Sequence, residues 1–108
     1  MRINIRRPKY NSSPTLVDGI RFDSKREASR YSELKELQKA GEVLYFLRQV
    51  PIDLASGKKY RVDFLIVWIN KDGSYDLAYE DVKGYRTETY KLKKTWVESQ
   101  YPIKIEET

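Results

Sequence analysis

The 108-residue chain contains no histidine and no cysteine. Without histidine there is no Ser-His-Asp or Cys-His triad, no imidazole general base and no histidine-bound metal of the HNH nuclease kind. Without cysteine there is no disulfide, no thiol nucleophile and no thiolate zinc site. Any metal must be held by oxygen, which favours magnesium, manganese or calcium. Long apolar runs are missing too: the longest uninterrupted one is residues 64–69, far short of a bilayer span. The opening stretch Met1-Arg2-Ile3-Asn4-Ile5-Arg6-Arg7-Pro8 has no apolar targeting core. A soluble cytoplasmic protein without a membrane partner is expected. Catalytic chemistry is left to carboxylates, lysine, tyrosine, serine and threonine.

What is abundant is charge, and it is unevenly placed. Lys and Arg number 21 against 16 Asp and Glu, a net of +5. Residues 1–30 hold eight basic side chains (Arg2, Arg6, Arg7, Lys9, Arg21, Lys25, Arg26, Arg30) and three acids (Asp18, Asp23, Glu27), so the whole excess lies there. A second basic cluster comprises Lys83, Arg86, Lys91, Lys93 and Lys94, with Tyr85, Tyr90 and Trp96 nearby. Basic stretches that carry aromatics suit a phosphate-rich partner; ordinary solubility charge produces similar counts. Residues 1–14 contain Pro8, Pro14 and Asn11-Ser12-Ser13 without periodicity, and are predicted to form a flexible basic arm. Residues 15–108 are expected to form one domain.

Within that domain, Asp18-Gly19 marks a short hairpin. Ser24-x-x-Glu27 fits a capping box, predicting a helix from about Ser24 to Ala40 that Gly41 stops. Ala28, Tyr31, Leu34 and Leu37 follow helical spacing within it. Residues 43–54 read as a strand, with Pro51 marking an edge or bend. Residues 60–69 are the clearest strand: Val62, Phe64, Ile66 and Trp68 alternate with Leu65, Val67 and Ile69, as in a central strand covered on both sides. A hairpin turn at 70–73, a strand over 75–83, a helix over 87–100 stopped by Pro102, and a short strand at 103–105 complete an α/β order.

Three acidic features interrupt this pattern. Asp63 lies inside the apolar run; a salt bridge to Arg61 or a lysine would compensate it, and so would a metal ion. Asp81 and Lys83 alternate onto one face of their strand while Glu80 points to the other. With Asp63 on the neighbouring antiparallel strand, two carboxylates and a lysine can converge, as a magnesium site or as a cross-strand ion pair. Glu27 is either the N3 member of the capping box or, on a stripe with Tyr31 and Leu34, a third acid facing the sheet. Gln49 is a candidate polar neighbour. On the second helix Lys91 and Lys94 are spaced i, i+3, and Tyr90, Lys94 and Val97 share a face that can lie along a phosphate backbone.

Taken in order, these residues resemble the PD-(D/E)XK nuclease superfamily, whose restriction-endonuclease-like core is α-β-β-β-α-β with a mixed central sheet flanked by helices. The resemblance is closest to small phage-encoded nucleases of the Holliday junction resolvase kind. It rests on Val17-Asp18-Gly19-Ile20-Arg21-Phe22-Asp23-Ser24-Lys25-Arg26-Glu27-Ala28, on Tyr60-Arg61-Val62-Asp63-Phe64, and on the run from Glu80-Asp81-Val82-Lys83-Gly84 to Lys93. The motif aspartate follows Val62 where the pattern has proline. The resemblance implies that Asp63 and Asp81 are metal ligands, that Val82 offers its carbonyl, that Glu27 is the helix acid and that Lys83 is the catalytic lysine. Spacing to Lys83 selects Asp81 over Glu80, unless a bulge shifts the register. The resemblance further implies a hydrolase, a magnesium-dependent endonuclease (manganese substituting) that acts in DNA recombination in the host cytoplasm and works as a homodimer. Arg6, Arg7, Lys9, Arg26, Arg30, Arg86, Tyr90, Lys91 and Lys94 are then the expected DNA contacts. The alternatives are a non-catalytic nucleic-acid-binding module on the same fold, or an interaction protein whose arm meets an acidic partner.

Overall fold

The computed structural model describes residues 15–82 and 86–108; the expected basic arm, with Arg6, Arg7 and Lys9, and the expected catalytic Lys83 lie outside the described residues. The described chain is mixed α/β. Strands β1 (Thr15–Val17) and β2 (Ile20–Phe22) form a hairpin, followed by helix α1 (Lys25–Lys39), strands β3 (Val43–Asp53), β4 (Lys59–Ile69) and β5 (Tyr75–Asp81), helix α2 (Glu88–Gln100) and strand β6 (Ile105–Glu107).

Local chemistry accounts for most of these boundaries. Asp18 and Gly19 both have positive φ, 53° and 75°, the backbone that a two-residue type I′ hairpin demands. Ser24 caps α1, its Oγ accepting the Glu27 N–H at 3.1 Å. At the other end the Glu42 N–H reaches the Leu37 carbonyl at 3.0 Å and the Gly41 N–H reaches that of Gln38 at 3.2 Å. Those two bonds make a Schellman close, which Gly41 permits with φ 81°. Thr87 caps α2 by accepting the Tyr90 N–H at 3.0 Å. The last strand begins two residues later than expected, at Ile105, because residues 101–103 are occupied by a turn in which the Ile103 N–H bonds to the Tyr101 carbonyl at 2.7 Å. No helix among the described residues is long and apolar enough to cross a membrane.

The main sheet has the order β3-β4-β5-β6 and is mixed: β3, β4 and β5 pair antiparallel, while β6 returns parallel to β5 after α2. Pro51 therefore sits on an edge strand, where a missing N–H is tolerated. Two apolar clusters hold the layers. One joins α1 and the hairpin to the sheet through Phe22, Ala28, Tyr31, Leu34, Val43, Phe64, Ile66 and Val82. Its aromatic chain Phe22–Tyr31–Phe46–Phe64 has successive centroid separations of 5.0, 5.7 and 6.1 Å, each contact worth about 0.5–1.5 kcal/mol beyond its buried area. The other joins α2 to Leu54, Tyr60, Val62 and Ile105. The adjacent β5 residues Ala78 and Tyr79 go to different clusters, so the two helices pack on opposite faces of the sheet.

This arrangement corrects the expected faces of β4. Val62 packs in the α2 cluster, whereas Phe64 and Ile66 pack in the α1 cluster, although all three are even-numbered. The alternation switches at Asp63. Opposite it, the β3 ladder steps from Arg48↔Phe64 to Val50↔Val62 across Gln49, whose φ is 52°. The expected cover on both sides of β4 is also incomplete: Leu65 and Ile69 remain partly exposed.

Candidate functional site

At this switch Asp63 and Asp81 face one another across β4 and β5, and Glu27 joins them only through Gln49. Asp63 and Asp81 occupy the next antiparallel position after Phe64↔Glu80, and each carboxylate holds the other strand's backbone. Asp81 Oδ1 accepts the Asp63 N–H at 3.0 Å, and Asp63 Oδ2 accepts the Val82 N–H at 2.9 Å. Tyr60 donates its hydroxyl to Asp81 Oδ2. Gln49 Nε2 donates to Asp63 Oδ1 at 3.3 Å and to Glu27 Oε2 at 3.1 Å, bridging helix α1 to the sheet. All these donors are neutral. Glu27, Asp63 and Asp81 are buried, Asp81 completely.

The capping box is thus split. Ser24 performs its half, while the Glu27 carboxylate turns to Gln49 and to Arg48, whose Nη2 lies 3.7 Å away. Burial, and then the neighbouring Asp63 carboxylate, push the Glu27 pKa up to about 7, against a smaller opposing pull from Arg48. Folding therefore favours the protonated acid. The stability it contributes is present below the ordinary carboxylate pKa and is lost as pH rises from about 4.5 to about 7. Glu27→Gln copies the protonated form, and its amide oxygen can still accept from Gln49. In chelator, thermal unfolding of wild type is expected to lose stability across that window relative to Glu27→Gln, by roughly 1–3 kcal/mol at pH 8. Parallel pH profiles would show that Glu27 does not titrate there.

Glu80 lies on the α1 side of β5, the opposite side from Asp81, whose partner Tyr60 belongs to the α2 cluster. Arg30 grips Glu80 in a two-pronged ion pair, Nε to Oε1 at 2.5 Å and Nη2 to Oε2 at 2.8 Å. The donor set Glu27, Asp63 and Asp81 is oxygen only and suits a hard divalent cation. The present side-chain arrangement does not collect it: among the described residues no three His, Cys, Asp or Glu side chains are grouped as a metal ion would need.

The expected DNA contacts scatter. Arg26 is exposed on α1. Arg30 is instead committed to Glu80 and Glu33. Arg86 pairs with Glu107 at 3.0 Å, Lys91 with Glu88 at 3.4 Å and Lys94 with Glu98 at 3.7 Å. Tyr90 donates to Glu107 Oε2 at 2.8 Å, and burial, with that bond, raises its pKa. The Tyr90–Lys94–Val97 face expected along phosphate is the face that packs on the sheet: Val97 is fully buried and Tyr90 packs against the same cluster. Amphipathic spacing identifies such a face but not which side it turns.

Two residues of the site escape sequence reading, Tyr60 and Arg48. Tyr60 reaches Asp81 only through strand register. Arg48 lies over the Phe22 ring at 4.4 Å, and its Nε is buried without a hydrogen-bond partner. No sequence signal marks either. A separate cavity of about 400 Å³ is lined by Leu54, Ala55, Ser56, Trp96, Ser99 and Gln100, and by none of the acidic residues.

A search of curated proteins finds no match. A family model described as "Protein of unknown function (DUF1064)" matches residues 7–106, a span that includes the hairpin, both helices, strands β3 to β5 and every acidic residue of the site, and the chain belongs to that family.

Proposed function

We propose that this chain is a magnesium-dependent endodeoxyribonuclease of the PD-(D/E)XK kind, acting on branched, nicked or flapped DNA. The observation that carries this reading is the meeting of Asp63 and Asp81 across β4 and β5, with Glu27 tied in from α1 through Gln49. The element order from α1 to β6, two helices on opposite faces of a mixed sheet, is compatible with the superfamily core. Asp63, Asp81 and Glu27, with the Val82 carbonyl, would hold the cation, which supplies Lewis acidity toward water and a phosphate oxygen when bound. Gln49 orients two of the acids. Lys83, two residues beyond Asp81, adds positive charge for the phosphate. The buried surroundings of Asp63 and Asp81 strengthen each of these interactions relative to open water.

One observation favours a second reading, a non-catalytic nucleic-acid-binding module. The Asp63 and Asp81 oxygens are engaged by protein donors, and no three-carboxylate metal group is assembled among the described residues. The test is an incubation of the full chain with plasmid, linear, nicked and four-way-junction DNA, in magnesium and in chelator. Cleavage that needs magnesium and prefers one of the structured substrates is expected. Salt-sensitive binding without cleavage in magnesium or manganese supports the binding module, and the absence of both sinks the two readings together.

A further inference from the structure

We infer that Arg48 is a phosphate ligand of this site, its guanidinium binding the oxygens of a DNA phosphate that comes to rest beside Glu27 and Asp63. The identity of the anion rests on the nuclease reading; the place of its ligand rests on the surroundings of Arg48. Arg48 stands on β3 opposite Phe64. Its guanidinium lies over the Phe22 ring, 4.4 Å from the centroid, a cation–π contact that holds the plane of the fork. Its Nη2 is 3.7 Å from Glu27 Oε2, too far for a hydrogen bond. Its Nε is buried without a hydrogen-bond partner, and a buried donor left unmet is costly. The side chain is 24% exposed, so the fork is held in place yet open to a ligand from solvent. Arg30 is the contrast: Glu80 and Glu33 fill its fork.

The backbone is bent at this point. Neighbouring residues of a regular strand point to opposite faces. Arg48 and Gln49 nevertheless both turn to Glu27 Oε2, Gln49 Nε2 donating to it at 3.1 Å, because Gln49 has a φ of 52°. A non-glycine residue keeps that conformation only where the surrounding structure enforces it, and such strain gathers at functional sites. Its effect here is electrostatic. Glu27, Asp63 and Asp81 are acids and repel a phosphodiester when ionised. Gln49 is neutral and spends its amide on two of them. Arg48 sets a full positive charge at the Glu27 edge of the group, on the α1 side of the sheet. Its parallel N–H donors match two oxygens of a phosphate, a geometry that lysine does not copy.

Proton–nitrogen NMR of the full chain in magnesium follows the Arg48 Nε–H directly. Arg48→Lys removes that signal and so identifies it. Dimethyl phosphate carries one negative charge, as a DNA phosphate does, and is expected to shift the signal to saturation. Trimethyl phosphate, uncharged and similar in shape, is expected to leave it in place. The Nε–H of Arg61, an exposed residue, is expected to stay in place in both titrations. In Arg48→Lys the half-saturation for dimethyl phosphate, read at the backbone amides of Glu27 and Gln49, is expected to rise at least about tenfold. The single-turnover rate of DNA cleavage is expected to fall by a similar factor. If Arg48→Lys fails to fold, through-bond correlation to the Arg48 backbone identifies the signal and the wild-type titrations decide. An Arg48 signal that ignores dimethyl phosphate, that moves equally with trimethyl phosphate, or that moves only in step with Arg61 overturns the inference. A saturating shift in a chain that does not cut DNA keeps Arg48 as a phosphate contact and drops the nuclease reading. Magnesium-dependent cleavage beside an unmoved Arg48 signal does the reverse.

Discussion

Asp81→Asn is expected to lower magnesium-dependent cleavage by more than about 100-fold, the upper end of what loss of a residue merely supporting a metal ligand costs, while DNA binding survives. An amide is a far poorer ligand than a carboxylate for a hard cation. The substitution is gentle to the fold. The amide that replaces the carboxylate would still accept the Asp63 N–H through its oxygen, and its nitrogen can donate to the Tyr60 hydroxyl oxygen in place of the bond that Asp81 now accepts. Stability and activity are therefore separable at this position. The measurement is a single-turnover cleavage rate on the preferred substrate, beside a binding isotherm and an unfolding curve. A variant that cuts as fast as wild type would move the site elsewhere. A variant that unfolds would instead show that the carboxylate at position 81 chiefly holds β4 to β5.

Arg30→Ala is expected to cost about 3–5 kcal/mol in urea unfolding, because it strands a buried carboxylate. The Glu80 side chain is 3% exposed and that of Arg30 18%. Arg30 pins Glu80 from one helical turn beyond Glu27, and Glu80 is the residue next to Asp81. The pair therefore fixes the α1 acid relative to the β5 acid, and the variant is expected to lose activity together with stability. Removing both partners should recover part of the loss, since no charge then remains buried. A cost below about 1 kcal/mol would put the pair in the class of exposed salt bridges.

The local signals in this chain were readable residue by residue. Ser24 and Gly41 bound their helix because capping involves groups only a few residues apart. Asp18-Gly19 and Asn70-Lys71-Asp72-Gly73 turn the chain for the same reason. The apolar run of β4 announced a central strand, and β4 does lie between β3 and β5. Asp63 stood out because a carboxylate in such a run needs a reason to be there.

Other features depend on parts of the chain that are far apart. Strict alternation would place Val62 with Phe64, but the twist at Gln49 and Asp63 sends them to different cores. A non-glycine residue at φ 52° costs about 1–2 kcal/mol and persists only because the packed β3–β4 pair enforces it, which no window of residues displays. Sequence alone suggests a phosphate contact for Arg30, because its partner Glu80 lies 50 residues away and only folding sets the two side by side. The helix face of Tyr90 and Lys94 was periodic, yet periodicity carries no direction.

The order of elements, the α1 caps and the turns, the oxygen-only character of any metal site, and the short list of acids from which a site can be made are all legible in the residues alone. Those properties follow from residue type and near-neighbour spacing. Long-range packing decides that Glu27 leaves its cap to face Gln49, that Asp63 and Asp81 hold one another's strands, that Glu80 belongs to Arg30, and that α2 covers only part of the sheet face opposite α1. Each of these depends on strand register and on which surfaces are left uncovered once the two helices have packed, and both are settled by the energy of the whole fold.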